Sequence, residues 1–266
     1  MLVVSELFIY PVKSLGGIGV HSAIITSRGL QYDRRWMLVD ENNQFLTQRE
    51  EPQMALFRTA IENNFITIFH SDNADDKIML PLQPGPSPII TVTVWDDVCQ
   101  AQPAEAEINK WFSHKLSMQC KAVYMPENSK RKVSPLHAIN DDDITSFSDA
   151  FPVLLIGQSS LDDLNSRLEI PLPMDRFRPN IVFTGGSPYQ EDTMKVFRIN
   201  SINFYGVGLC GRCAITTTNQ QTAERVKEPL KTLATYRTID KKVCFGQNII
   251  CKGNGKISVG DVLQNE

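Results

Sequence analysis

The chain has 266 residues, a formal net charge of −3, 42% apolar and 21% charged residues, and 15 each of glycine and proline, which excludes a disordered or fibrous polymer. At roughly 150 residues per domain the length suggests one large domain or two lobes, and two lobes are expected. A chain of net negative charge has no global positive field to gather a phosphate backbone, so no nucleic-acid partner is expected.

In chain order, LVVSELFIY at 2–10 reads as a strand rather than an export signal, because Ser5 and Glu6 interrupt it, no basic leader precedes it, and Pro11 and Lys13 follow. No apolar run approaches the ~18 residues of a bilayer-crossing helix, so no membrane partner is expected and a cytoplasmic location is. Further short β-rich runs follow at VHSAIIT, RWMLVD, NNFITIFH and IITVTVW, separated by turn residues, and predict a meandering antiparallel sheet. In PAEAEINKWFSHKL, Ile108, Trp111, Phe112 and Leu116 recur at helical intervals, with Glu105 and Glu107 favouring the N-terminal end.

The stretch from Tyr124 to Asp143 reads as an exposed link between lobes, and its Lys130-Arg131-Lys132 triplet as a solvated face. Beyond it, SSLDDLNSRLE predicts a helix capped by Ser159 or Ser160, and EPLKTLATYR one with Pro229 in its first turn. Strands are expected at PVLLIG, NIVFTG, FRINSINFYG, CAITTT and KVCFGQNIIC. No βαβ alternation of a dinucleotide-binding sheet is evident, so the fold class is mainly β with some α, barrel-like with a few covering helices.

The six cysteines form no dense framework, and reduced thiols are the default. Cys210-Gly211-Arg212-Cys213 precedes a β-branched run, which places it on a turn entering a strand and argues against a thioredoxin-like helix opening. Zinc or an iron–sulfur cluster needs four suitably spaced ligands, and Cys244 and Cys251 do not supply them. A single soft thiolate suffices where an organic cofactor brings the other ligands, and the Arg212 guanidinium beside a thiol favours its ionised form. A cysteine pair merely packed under a turn is the competing reading.

The ordered blocks YPVKSL at 10–15, GLQYDRRWMLVD at 29–40, FLTQREEP at 45–52, FSDAFPVLLI at 147–156, DLNSRL at 163–168, FRPNIVF at 177–183, CGRCAITT at 210–217, EPLKTLATYR at 228–237 and FGQNI at 245–249 together resemble the MOSC family. Within it they resemble the group of bacterial YcbX-type and mitochondrial amidoxime-reducing proteins. The resemblance implies a MOSC N-terminal β-barrel-like lobe over 1–122 and a MOSC β-barrel domain over 123–266. It further implies a molybdenum cofactor, with Cys213 as its protein ligand to the metal.

Molybdopterin is an anionic phosphate ester, and the matching positions suit it. Lys13 and Ser14 offer an ammonium and a hydroxyl, Arg34 and Arg178 fork-shaped donors, and Asn180 a polar edge, with Arg212 counted among the cofactor contacts. Taken singly, Lys13 reads as a surface cation, Arg34 and Arg178 as partners of Asp33 and Asp175, and Asn180 as a turn amide. Asp149 matches a position that the family places near the metal, where a carboxylate can position substrate or relay protons; otherwise it caps a turn. Thr47 and Arg49 are candidates for the pocket wall or for strand packing. The four histidines, His21, His70, His114 and His137, fall outside the matched blocks and read as structural.

Gly211 stands where the mitochondrial relatives carry serine, so a side-chain contact to the cofactor is lost there while the backbone N–H remains. The sequence ends soon after VGDVL, where YcbX-type proteins continue into a ferredoxin-like module, so either the electron donor is a separate flavoprotein, ferredoxin-like or cytochrome-type protein, or this chain is a fragment of a longer one. The implied activity is reduction of small N-hydroxylated compounds such as hydroxylaminopurines, amidoximes and hydroxylamines. The alternative is a molybdenum-cofactor or sulfur carrier that does not turn over.

Overall fold

A computed structural model describes residues 1–265 of the chain. Strands make up 43% against 15% helix, so the molecule is mainly β as expected. Seven strands close on themselves, in the order Val153–Gly157, Ile181–Thr184, Leu2–Ile9, Val262–Asn265, Val196–Ile199, Ile202–Gly211 and Lys242–Lys252, the last pairing back to the first. Both ends of the chain thus enter one barrel, which leaves no open strand edge along that path. Its interior is a continuous apolar cluster including Val4, Leu7, Phe183, Phe197, Phe204 and Ile249, with the Phe197 and Phe204 rings stacked at 5.2 Å.

Residues 36–125 form a second body. A four-stranded sheet orders Trp36–Asp40, Cys120–Tyr124, Asp97–Pro103 and Ile90–Val94, and beside it Phe57–Glu62, Phe65–His70 and Asn73–Pro81 form the expected antiparallel meander. The strand Trp36–Asp40 buries both faces, Trp36 and Leu38 in one cluster and Met37 and Val39 in another, which is why its sequence is continuously apolar rather than alternating. The helix Ala106–Leu116 falls where its periodicity put it and sets Phe112 and Leu116 into the first of those clusters.

Local chemistry redirected three expectations. The helix Gln158–Asn165 starts at Gly157 with no side-chain cap. Ser160 lies inside it, donating to Glu191 Oε2 at 2.8 Å and accepting from the Tyr189 N–H at 2.7 Å, so its hydroxyl is committed to a buried contact instead. That helix also joins Val153–Gly157 to the parallel strand Ile181–Thr184, a βαβ unit within the barrel. FRINSINFYG is a hairpin rather than one strand, because Asn200 takes φ 55° and turns the chain between Ile199 and Ile202. The run after Cys213 is a short 3-10 helix, Ala214–Thr217; the Thr216 hydroxyl donates to the Cys213 carbonyl at 3.0 Å and that of Thr217 to Ala214 at 2.7 Å, satisfying locally what a strand would satisfy across a ladder.

The 124–143 link is not an exposed loop throughout: Arg131–Lys132 pairs with Ile144–Thr145, and Ser129, Arg131 and Val133 are buried. Among the described residues no helix is long and apolar enough to cross a membrane.

The long strand Lys242–Lys252 is the spine of the site. It pairs with Val153–Gly157 near Asn248 and with Ile202–Gly211 down to the Gly211 to Cys244 register. Two register shifts in the latter pairing, between Gly206 and Gly208 and between Leu209 and Gly211, are bulges that turn the strand end out of the ladder. Gly246 lets the spine lie close to its neighbour: at φ 85°, an added Cβ would fall 2.8 Å from Ile156 Cγ1 and 3.0 Å from the Leu155 carbonyl.

Candidate functional site

A cavity of about 860 Å³ runs alongside this spine. The eight residues that the family resemblance assigns to metal, cofactor or catalysis all line it: Lys13 and Ser14 after the first strand, Arg34, Asp149, Arg178 and Asn180, and Arg212 with Cys213 beyond the bulged strand. The wall holds six cationic side chains, Lys13, Arg34, Arg178, Arg212, Lys241 and Lys242, against the carboxylates of Asp149 and Asp240. A chain of net charge −3 therefore concentrates positive charge in one concave place.

Tyr10 organises two of these cations. The guanidinium carbons of Arg34 and Arg178 each lie 4.3 Å from its ring centroid, within cation–π range. Arg34 donates to Asp33 Oδ2 at 2.6 Å and to Asn180 Oδ1 at 3.0 Å, while Asp33 Oδ1 accepts the Tyr10 N–H at 2.8 Å. The Asp33 partner named for Arg34 is thus present within the site, whereas among the described residues no ion pair joins Arg178 to Asp175. Burial, with the Arg34 guanidinium alongside it, lowers Arg178 to about 10, and its Nη2 finds no partner in the protein. The chain takes up both lone pairs of Asn180 Oδ1, which also accepts the Leu154 N–H, and one N–H of its Nδ2, which donates to the Phe8 carbonyl.

Ser14, Arg34 and Arg178 have φ values of 67°, 48° and 56°. Left-handed backbone at a residue with a Cβ costs on the order of 1 kcal/mol or more, and it persists where the surroundings over-determine it. Three such residues around one cavity mark a wall whose shape is kept at some cost to stability.

Lys13 is 4% exposed, yet its Nζ donates to the Phe147 carbonyl at 2.8 Å and to Asp149 Oδ1 at 2.6 Å. Burial pulls its ammonium below the usual lysine value, opposed by Asp149. Burial would raise the Asp149 carboxyl, but Lys13, then Arg49 and the Trp95 indole, outweigh it and hold the group well below the usual carboxylate range. The Asp149 side chain is 57% open to solvent, so this carboxylate is both ionised and reachable.

Cys213 is half-buried and unpaired, as is Cys210, and the other four cysteines are buried and unpaired. The Arg212 guanidinium donates to Cys210 Sγ at 3.0 Å and to the Phe177 carbonyl at 2.7 Å, so its contact is with the first cysteine of the segment rather than with Cys213. Thr47 is buried and hydrogen-bonded to Glu50, and Arg49 stacks 3.9 Å from the Trp95 ring; neither lines the cavity.

Four residues that were not expected at the cavity from sequence stand at or behind its wall: Tyr10 under Arg34 and Arg178, Trp95 and Arg131 against Asp149, and His137. His137 lines the cavity, its Nδ1 3.1 Å from the Val207 carbonyl and its ring edge-on to Phe151. Only Tyr10 carried a signal, as the aromatic residue opening the YPVKSL block.

A mainly β barrel with a cation-lined cavity and two half-buried thiols at its wall, Cys210 and Cys213, offers an anionic ligand a positive cradle with soft sulfur within reach. The MOSC N-terminal beta barrel domain matches residues 1–119 and the MOSC domain residues 142–264. The chain belongs to the MOSC family. It is 34% identical to mitochondrial amidoxime-reducing component 1 of Mus musculus, across 97% of this chain and 80% of that protein. It is 33% identical to mitochondrial amidoxime reducing component 2 of Homo sapiens, across 89% of this chain and 73% of that one. The molybdenum cofactor sulfurase of Oryza sativa subsp. japonica is 34% identical across 91% of this chain, which spans 31% of that longer protein.

Proposed function

We propose that this chain is a molybdenum-cofactor-dependent oxidoreductase that reduces small N-hydroxylated compounds, with Cys213 as the protein ligand to the metal. The observation that carries the reading is the gathering of the Cys213 thiol and six cations around one cavity, in a chain similar along nearly its whole length to amidoxime-reducing components. The residues fit the cofactor. Its anionic phosphate meets the excess of positive charge, the unpartnered Nη2 of Arg178 leaves a donor without an acceptor, and Cys213 offers the soft sulfur that molybdenum takes.

When bound, the cofactor supplies two-electron reduction with removal of the oxygen carried by the substrate nitrogen. Lys13, Ser14, Arg34 and Arg178 bind its anionic end, and Arg212 braces the turn that presents Cys213 by tying Cys210 to the Phe177 carbonyl. Asn180 holds Arg34 in place and has a second Nδ2 N–H to offer the cofactor. Asp149, ionised and open to the cavity, is an acceptor; it orients the N–OH or amino hydrogens of a substrate rather than donating a proton. We assign electron delivery to a separate redox protein of flavoprotein, ferredoxin or cytochrome type, a reading supported by relatives named as components. We place the activity in a reducing compartment, the cytoplasm, on the cysteine usage.

A carrier role, in which Cys213 holds the cofactor or a persulfide for delivery, draws on the sulfurase similarity, yet the match covers under a third of that protein. Reduction of an amidoxime and of a hydroxylaminopurine by the cofactor-loaded protein with a chemically reduced donor separates the two readings. Turnover that disappears in Cys213→Ala supports the reductase; cofactor retention and transfer without turnover under any donor supports the carrier.

A further inference from the structure

The charged triplet 130–132 hides a buried cation. Arg131 is 5% exposed, and every nitrogen of its guanidinium is engaged. Nε donates to Asp97 Oδ2 at 2.7 Å, Nη1 to the Ser146 carbonyl at 3.2 Å and to the Ser148 carbonyl, and Nη2 to the Asp149 carbonyl at 2.7 Å. One side chain therefore gathers three carbonyls from the short segment that ends at Asp149. A buried charge is tolerated only when its donors are satisfied, and a guanidinium can meet four acceptors in a fixed plane where an ammonium cannot.

The same hairpin grips Asp149 from its other side. Asp97 pairs with Val94 across the tight turn formed by Trp95 and Asp96, with Trp95 at φ 57°. From that turn the Trp95 indole Nε1 donates to Asp149 Oδ1 at 3.3 Å, the oxygen that also accepts from Lys13. Phe45 at 5.0 Å and the Arg49 guanidinium at 3.9 Å pack against the Trp95 ring and hold it in place. The backbone of the Asp149 segment is thus fixed by Arg131 and its carboxylate by Lys13 and Trp95, with Asp97 and Trp95 two residues apart on one hairpin tip.

We propose that Arg131, held by Asp97, is a positioning residue that, together with Trp95, sets the Asp149 carboxylate at the cavity wall. This rests on the reading of Asp149 as the substrate-orienting acceptor. The N-terminal body, which supplies Asp97 and Trp95, thereby controls the geometry of a group belonging to the barrel side of the cavity. Arg28 shows by contrast what a purely structural brace of this link looks like: it is equally buried and donates to the Thr145, Glu127 and Ser129 carbonyls, away from Asp149.

The test has a readout independent of turnover. The chain has three tryptophans, and their indole N–H groups have different acceptors, Pro81 for Trp36, Asp76 for Trp111 and Asp149 for Trp95. In the cofactor-loaded protein the Trp95 indole resonance is assigned by its loss in Trp95→Phe. Arg131→Lys and the milder Asp97→Asn should both move it in the direction that Asp149→Asn does, leaving Trp36 and Trp111 in place. A Trp95 signal unmoved in the folded Arg131→Lys protein overturns the proposal.

Turnover supplies the second arm. Arg131→Lys should lower kcat roughly 10- to 100-fold at unchanged molybdenum content, the scale of a small misplacement of a positioned group, and lower it no further in an Asp149→Asn background. Equal losses in both backgrounds overturn the proposal. Full turnover in Asp149→Asn alone removes the role given to Asp149 itself, and the placement of that group by Arg131 is then decided by the resonance.

Discussion

Lys13 Nζ and Asp149 Oδ1 lie 2.6 Å apart, an ion pair that joins the segment after the first strand to the segment entering the barrel strand Val153–Gly157. It fixes the charge state of the cavity wall. A carboxyl whose folded value is depressed contributes stability that is fully present above its unfolded value, about 3.9, and is lost as pH falls through the folded value. For Asp149 that window lies below about pH 4. Acid unfolding curves of the wild type and Asp149→Asn should therefore run at a constant offset between pH 5 and 8 and converge in stronger acid. A divergence that opens within the neutral range contradicts the assigned ionisation.

The anion cradle predicts a loss of retention rather than of folding. Arg178→Lys keeps the charge but removes the fork beside Tyr10. Losing one charge-assisted hydrogen bond, about 1.5–3 kcal/mol, should weaken cofactor retention on the order of 10- to 100-fold at little change in Tm. Pterin remaining on the protein after dialysis measures it.

Tyr10 is tested by two substitutions that part ring from hydroxyl. Tyr10→Phe keeps the surface on which Arg34 and Arg178 rest, and should leave Tm and cofactor content near those of the wild type. Tyr10→Leu removes the π face and should cost roughly 1–2 kcal/mol in unfolding free energy, with weaker cofactor binding. Equal behaviour of the two variants would remove the cation–π account.

Gly246→Ala should destabilise the barrel by roughly 1–3 kcal/mol, because the residue is at φ 85° and its Cβ would press on Ile156 and the Leu155 carbonyl. Denaturant unfolding measures this. The contact lies at the pairing between the spine and Val153–Gly157, so some cofactor retention should be lost with it.

Much of the barrel could be read from periodicity, since Leu2–Ile9, Ile181–Thr184 and Lys242–Lys252 are apolar runs of strand length. What periodicity missed depends on single side chains. Asn200 splits one run into a hairpin, and the hydroxyls of Thr216 and Thr217 turn a β-branched run into a 3-10 turn. The eight candidate residues were recognisable from ordered family blocks but not from spacing, because Lys13, Arg34, Asp149, Arg178 and Cys213 are far apart in the chain and meet only when the barrel closes. Arg131 was misread for a related reason: a triplet of cations looks solvated until carbonyls 15 to 18 residues onward fold over the middle one. His137 had no local signature, since its place at the cavity comes from the link lying against Val207.

The central claim is that Cys213 and the cation-lined wall hold a molybdenum cofactor, and metal and pterin analysis of protein purified from a host that makes the cofactor tests it most directly. Stoichiometric molybdenum and pterin in the wild type, with molybdenum lost or its coordination altered in Cys213→Ala, is the result the account predicts. Wild-type protein without molybdenum or pterin, or a Cys213→Ala variant with unchanged metal coordination, would contradict it.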